Sequence, residues 1–570
     1  MSDDAKKAAL SDVERIKSAS QNLRGTLTES LLDDVTGAIA DDDTQLSKFH
    51  GIYQQDDRDS RAARRRQKLE PAFSFMIRAR VPGGICTPAQ WLAMDKLAQT
   101  HANGTLRLTT RQAFQFHGVI KRQLKDTVAG INATLLDTLA ACGDVNRNVM
   151  ATPLAKGAKV QAQVAGWAKD LSDHLTPATG AYHEIWLDGE KQPSVEAASP
   201  REPIYGNTYL PRKFKMGLVI PPVNDIDIYT QDLGFIAIVE DDKLVGFNVS
   251  VGGGMGMAHG VRETYPMLGR VIGFVEPEAL TAISEAVVTT QRDYGDRTNR
   301  KHARLKYTID DRGIDWFADE VQQRSGVTLA PARPIQFTHR GDLLGWLQDD
   351  AGAWHFGVNV ENGRIKDLPQ QQLLTGLRQI AKVHKGEFRL TANQNVIISG
   401  IDRLDKAHIE VLIDEYGLSA AASHLRANAM ACVGFPTCGL AMAESERYLP
   451  TLIDELDESL ASHGLEDEPM VIRMTGCPNG CARPYAAEIG LVGKSEGRYA
   501  VFLGGDSEGT RLNRLYRDNV PDSDLRELLD PLFAQYARDR EPEEHFGDFL
   551  VRSGVVAPVV HGREIHEVTP

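Results

Sequence analysis

Several absences narrow the reading of this 570-residue chain before any motif is considered. No apolar run reaches the ~18 residues needed to cross a bilayer, and the opening residues MSDDAKKAALSDVER contain no apolar core of a secretory signal. The expectation is therefore a cytoplasmic protein without membrane partners. Positive charge is not in excess: 64 Lys and Arg stand against 78 Asp and Glu, a net charge of −14. That argues against a general nucleic-acid or anionic-membrane surface, while a local basic pocket for a small anion remains compatible. Cysteine is scarce, with six residues, which suits a reducing compartment and not a disulfide scaffold. A nucleotide fingerprint is also missing. In Gly252-Gly253-Gly254-Met255-Gly256 the third glycine of G-x-G-x-x-G would fall at Met257 or His259, so no nicotinamide or flavin site is expected.

What is present is an ordinary globular composition, 42% hydrophobic and 25% charged, at a length that calls for several domains. Four of the six cysteines gather as Cys432-x5-Cys438 and Cys477-x3-Cys481. Two tight pairs on two loops point to one four-thiolate site, and soft thiolates suit zinc or an iron–sulfur cluster. The gaps exceed those of most zinc ribbons on one loop, and the loops are rich in Gly and Pro, so backbone N–H groups can approach inorganic sulfur. A cluster is the better fit; zinc, and inert or disulfide-bonded cysteines, stay open on spacing alone. Cys86 and Cys142 lie outside the pattern and read as buried thiols.

An internal repeat fixes the architecture. Thr105 to Gly118 (TLRLTTRQAFQFHG) is echoed by Glu387 to Gly400 (EFRLTANQNVIISG), and the preceding strand and turn correspond as Phe75 to Gly84 and Phe356 to Gly363. Alternation predicts a strand from Phe73, with Met76, Arg78 and Arg80 on one face, then a helix over Ala89 to Thr100. From Thr105 onward Arg107, Thr109, Arg111, Gln115 and His117 share one parity, opposite an apolar face. Helices are expected over Gln161 to Leu175, Pro277 to Asp293, Glu444 to Leu460 and Leu525 to Arg538. Strands are expected over Tyr182 to Leu187, Lys213 to Ile220, Phe235 to Val239, Met470 to Met474 and Tyr499 to Leu503.

The cysteine spacing, read with Ala431-Cys432, Phe435-Pro436-Thr437-Cys438 and Thr475-Gly476-Cys477-Pro478-Asn479-Gly480-Cys481, resembles the sulfite and nitrite reductases that couple sirohaem to a [4Fe-4S] cluster, and the likeness runs from about Leu23 to Phe549. The resemblance implies an α+β, internally duplicated fold: a ferredoxin-like composite domain plus two larger α/β domains related by a pseudo-two-fold axis. The expected division is a polar arm over 1–70 that docks a partner, the composite domain over 71–143 with 346–420, and the α/β domains over 144–345 and 421–570. It further implies Cys432, Cys438, Cys477 and Cys481 as cluster ligands, the last bridging to the sirohaem iron. Arg78, Arg147, Lys213 and Lys215 match the anion pocket; Arg107, Arg111, Gln115 and His117, with Thr475 and Asn479, match the sirohaem contacts. Taken singly, each of these lysines reads as a surface charge and His117 as a structural histidine; together, at matching positions, they read as a site.

The activity so implied is six-electron reduction of sulfite to sulfide in sulfate assimilation and cysteine biosynthesis, with nitrite reduction, or a non-enzymatic four-cysteine protein, as the alternatives. Electrons must come from another protein, a diflavin (FAD/FMN) NADPH-dependent reductase subunit or else ferredoxin. The arm carries a basic run, Arg61 to Lys68, beside Asp56-Asp57-Arg58-Asp59, which reads as a solvated face or as the donor's docking segment. Nitrite-specific relatives commonly have Asn where this chain has Lys215. Lys215→Asn is therefore expected to lower kcat/KM for sulfite relative to nitrite by at least about tenfold; unchanged sulfite turnover would remove the basis for preferring sulfite.

Overall fold

A computed structural model describes residues 10–178, 186–187, 190–191, 202–419 and 422–567. Four five-stranded sheets fall into two matching pairs. The first small sheet is antiparallel, with spatial order Ile52–Asp56, Phe73–Ala79, Phe114–Val119, Leu106–Leu108, Arg364–Ile365. The second repeats it as Gly345–Gln348, Trp354–Val358, Val396–Ile401, Glu387–Leu390, Ile85–Cys86. Each half thus supplies the closing edge strand of the other's sheet, so neither sheet is complete from its own half. A shared core backs the exchange: Trp91, in the helix Pro88–His101, stacks on Phe388 with ring centroids 4.6 Å apart and meets Phe114 edge-on at 5.6 Å.

The repeat extends to single atoms in the hairpin turns. Thr109 Oγ1 accepts from the Arg111 N–H, and Thr391 Oγ1 from the Asn393 N–H, both at 3.2 Å. Gln112 and Gln394 both take positive φ. The stretch from Thr105 to Gly118 is this hairpin and not one continuous strand, so Arg107 and Gln115 share a face by cross-strand pairing.

The two larger sheets also match, as Met150–Ala151, Met216–Val219, Leu233–Glu240, Lys243–Val251, Arg270–Val275 and Ala429–Ala431, Ile472–Thr475, Ile489–Ser495, Arg498–Leu503, Arg514–Pro521. In each, three parallel strands are followed by two antiparallel ones. Register relates them residue by residue. Met150 pairs with Gly217 and Gly217 with Gly234; Met430 pairs with Arg473 and Arg473 with Gly490. The stretches 220–234 and 476–490 are equal in length, so Thr152, Asp225 and Asp227 occupy the positions of Cys432, Cys481 and Arg483.

Some boundaries differ from the sequence expectation. Met216–Val219 starts after Lys215; Phe214 is held before it by a bridge to Asn146. The helix expected from Glu444 begins at Leu449, because Ser445 turns back to donate to the Met474 carbonyl at 2.9 Å. Of Tyr182 to Leu187, residues 182–185 lie outside the described residues, and Trp186–Leu187 pairs with Glu190–Lys191. The segment read as a polar arm is largely packed. Ile16, Leu23, Leu46 and Phe49 enter the core of the first large domain, and Ile52–Asp56 is an edge strand. Its mean polarity hides widely spaced apolar residues and a buried ion pair, Lys17 to Glu14 at 2.5 Å.

Candidate functional site

The cysteines sit at the C-terminal ends of parallel strands in the second large sheet, where open α/β sheets place their ligands. Cys432 follows Ala429–Ala431, and Cys477 follows Ile472–Thr475 after one glycine. The Cys432 N–H donates to the Met474 carbonyl at 3.1 Å, and the Gly476 N–H donates to Cys432 Sγ at 3.3 Å. Asn479 Nδ2 donates to Cys477 Sγ at 3.6 Å. Glycine is required at two points: a Cβ on Gly476 would stand 2.6 Å from the Ala443 carbonyl, and Gly480 has φ +61° with the Met255 carbonyl 3.0 Å from where its Cβ would be. The Gly252 to Gly256 run therefore has a docking role in the fold, since it lies against this loop and Met257 N–H donates to the Pro478 carbonyl at 2.9 Å.

The four thiols share one electrostatic neighbourhood. Burial, then Cys481, pushes up the thiols of Cys432, Cys438 and Cys477, the last to about 12. Among the described residues no three His, Cys, Asp or Glu side chains close around a single ion. N–H groups aimed at the Cys432 and Cys477 sulfurs are the contacts that cluster thiolates accept.

The first half faces these cysteines with positive charge. Arg78, Lys213 and Lys215 all feel the Cys481 sulfur. Lys213 and Lys215 are half-buried. Burial, then Arg212 and Arg304, pushes Lys213 down to about 7; burial, then Lys213 and Arg111, pushes Lys215 well down. Burial, then Arg147, pushes Arg111 down to about 9. Among the described residues Arg78, Arg147, Lys213 and Lys215 form no ion pair with a carboxylate. The nearby acids are already engaged, Asp144 with Arg300 at 2.8 Å and Asp232 with Arg304 at 3.2 Å.

The residues expected to contact sirohaem divide in two. Arg111 Nε, His117 Nε2 and Thr475 Oγ1 are buried without a hydrogen-bond partner, as are Arg78 Nε and Asn146 Oδ1. His117 Nδ1 accepts from Arg364 at 3.3 Å, which leaves the ring proton on the unpartnered Nε2. Arg107 is already engaged within the protein: it donates to Glu446 at 2.9 Å, to Gln115 at 3.3 Å and to the Ala431 carbonyl at 3.1 Å. Arg107 and Gln115 thus brace the strand that leads to Cys432. Orphaned polar atoms, uncompensated cations and four thiols together fit a pair of anionic prosthetic groups and a small anion.

Sequence reasoning missed several residues here. Glu446 clamps Arg107 and Arg364. Cys142, read as a buried thiol, also accepts from Arg78 Nη1 at 3.0 Å, and Tyr53 feels the charge of Arg147 and Arg78. Asn148 ties the Arg111 turn to Val81 through three donated bonds. One signal was present and went unread: Asn146-Arg147-Asn148-Val149-Met150-Ala151-Thr152 is repeated as Arg426-Ala427-Asn428-Ala429-Met430-Ala431-Cys432.

Comparison with known proteins identifies the family. The family model of the nitrite and sulphite reductase 4Fe-4S domain matches residues 166–329, and that of the nitrite/sulfite reductase ferredoxin-like half domain matches 66–134 and 347–415. The first of these covers the first copy of the large domain; the four cysteines lie in the second. The chain is 56% identical over 559 residues, 98% of each chain, to the sulfite reductase [NADPH] hemoprotein beta-component of Shouchella clausii (strain KSM-K16). It is 57% identical to that of Myxococcus xanthus (strain DK1622), over 97% of this chain and 98% of the relative. The solved structure of the Mycobacterium tuberculosis NirA protein superposes with a TM-score of 0.77 at 24% identity, covering 95% of this chain and 96% of that one, a likeness of fold. The chain belongs to the nitrite and sulfite reductase family of oxidoreductases.

Proposed function

We propose that the chain reduces sulfite to sulfide at a sirohaem joined through Cys481 to a [4Fe-4S] cluster that Cys432, Cys438 and Cys477 also hold. The observation that carries this reading is the positive charge that Arg78, Lys213 and Lys215 bring to Cys481, with Arg147 beside Lys213 and, among the described residues, no carboxylate paired to any of the four. When bound, the cofactor pair supplies single electrons at an iron centre. Arg111, His117 and Thr475 would hold the sirohaem through their unpartnered atoms. Asn479 and the Gly476 N–H steady cluster thiolates. Arg107 and Gln115 act one step back, by holding the strand before Cys432.

Arg78 and Arg147 hold the anion with planar forks of donors, and Arg147 is itself oriented by two bonds to the Gly143 carbonyl, at 2.9 and 2.7 Å. Lys213 and Lys215 are suited to proton delivery. Each sulfite oxygen leaves as water and takes two protons with it, and a lysine lowered toward neutrality gives up a proton far more readily than an ordinary one. Electrons come from a partner, which we take to be a diflavin NADPH-dependent reductase subunit.

The sign of the pH dependence follows from Lys213. Burial, then Arg212 and Arg304, pushes its pKa down to about 7, and any anion brought near favours the charged form and raises it. Sulfite affinity, corrected for sulfite's own protonation, is therefore expected to be level below the free-state pKa and to fall by up to about tenfold per unit above it. In Lys213→Met binding is weaker and this slope is lost. An identical slope in the variant, read from sulfite titrations of the visible spectrum, would contradict the role.

The partner's docking face is read from the basic run. Arg61–Arg66 is a helix with no buried residue, and among the described residues Arg65, Arg66 and Lys68 form no ion pair. It stands beside the first cysteine loop: Arg58 lies over the Phe435 ring at 4.2 Å and donates to the Ala441 carbonyl at 2.6 Å, and Leu440 is 66% exposed. Deleting the arm would remove Ile52–Asp56 and Tyr53 from the fold, so charge reversal is the cleaner test. Arg65→Glu with Arg66→Glu and Lys68→Glu is expected to raise KM for the protein donor at least about tenfold while dye-driven sulfite reduction stays at the wild-type rate. Equal loss of both activities would contradict docking there.

A further inference from the structure

We infer that Arg483 is a positioning residue that sets Cys481 against the Arg111 turn by gripping both repeat hairpins at once, an inference that rests on the reading of Cys481 as a cofactor ligand. Arg483 lies two residues past Cys481 and is buried, with its backbone at φ +56°, where residues other than glycine are uncommon. Its guanidinium reaches three parts of the chain. Nε donates to Asp227 Oδ2 at 2.5 Å, Nη1 to the Thr110 carbonyl at 3.1 Å, and Nη2 to the Ala392 carbonyl at 2.9 Å. Thr110 and Ala392 are equivalent members of the two hairpin turns, next to Arg111 and Asn393. Thr110 closes the loop by donating its Oγ1 to the Cys481 carbonyl at 3.1 Å. A single side chain therefore fixes the distance between the cysteine that faces the anion pocket and the hairpin that carries Arg111.

Register explains why an arginine stands there. Asp227 occupies the position of Arg483 in the first half, has φ +48°, and like Arg483 opens a short 3-10 turn, Ile228–Thr230 against Pro484–Ala486. Two equivalent residues of a duplicated loop meet across the junction of the halves, and opposite charge at that position lets them attract. The other two equivalences have diverged as well. Where the second half has Cys432 and Cys481, the first has Thr152 and Asp225, sealed to each other by a hydrogen bond of 3.0 Å. The cofactor ligands stand on one side of the junction only, and the Asp227–Arg483 pair holds the two sides together. Asp227 also receives Arg473 at 2.7 Å and Arg340 at 3.5 Å, so its removal would strand three buried guanidinium groups.

A lysine at 483 keeps the charge but cannot reproduce a planar fork to three acceptors. The test uses the full chain with its cofactors as Arg483→Lys, as Thr110→Val, which removes only the bond to the Cys481 carbonyl, and as Cys481→Ser. Arg483→Lys is expected to retain iron content, to lower the thermal midpoint modestly, to shift the sirohaem absorption and reduction potential, and to lower kcat by about ten- to hundredfold with KM for sulfite near wild type; Thr110→Val should shift the same bands to a smaller extent. Wild-type spectrum, potential and kcat in both variants, or a lowered thermal midpoint alone, would overturn the inference, provided Cys481→Ser alters the spectrum. An unaltered spectrum in Cys481→Ser would overturn the reading of Cys481, and this inference with it.

Discussion

Positive charge held inside a protein without a counter-charge is costly, because burial favours the neutral form of lysine and leaves arginine's donors poorly hydrated. This chain accepts that cost at one place. Arg78, Arg111, Arg147, Lys213 and Lys215 gather near Cys481, and the acids within reach are committed elsewhere. The arrangement is reasonable only if anions complete it. A rim of carboxylates, a thiolate-ligated cluster and a sulfite ion would each restore the balance, and each would move the two lysines back toward their charged forms. Substrate binding and proton supply are thus two consequences of one electrostatic deficit.

The fold delivers that deficit by duplication. Each half supplies the edge strand of the other's small sheet, and the two large sheets repeat the same strand order with opposite chemistry at their loop ends. The first copy contributes the cations and the second the thiols. Because the two copies are locked by exchanged strands, by the Trp91 stack and by the Asp227–Arg483 pair, parts far apart in sequence are brought together without a flexible linkage. Close backbone approach at Gly476 and Gly480 then lets the cysteine loop sit against the glycine run of the first half.

Much of this was legible in the sequence because it is written in local signals. Alternation located Phe73–Ala79, the echo of Thr105 to Gly118 in Glu387 to Gly400 marked the duplication though not the hairpin turn inside each copy, and the cysteine spacing marked the thiol site. What escaped was long-range. Glu446, which clamps Arg107 and Arg364, resembles any surface glutamate until the second cysteine strand is folded beside the first hairpin. Cys142 and Tyr53 gain meaning only through Arg78 and Arg147. The arm was misjudged because its apolar residues are spaced singly between charges, so that average polarity concealed Leu23, Leu46 and Phe49 in the core.

The central claim, that these thiols and cations hold a sirohaem joined to a cubane cluster and a sulfite ion, is tested most directly by the visible absorption spectrum of the purified chain before and after sulfite, with iron and acid-labile sulfide assayed on the same sample. The account predicts intense sirohaem bands that shift when sulfite is added, and about five irons per chain, from one cubane and one haem iron. A colourless protein holding zinc, or a cluster spectrum without sirohaem bands, would contradict it.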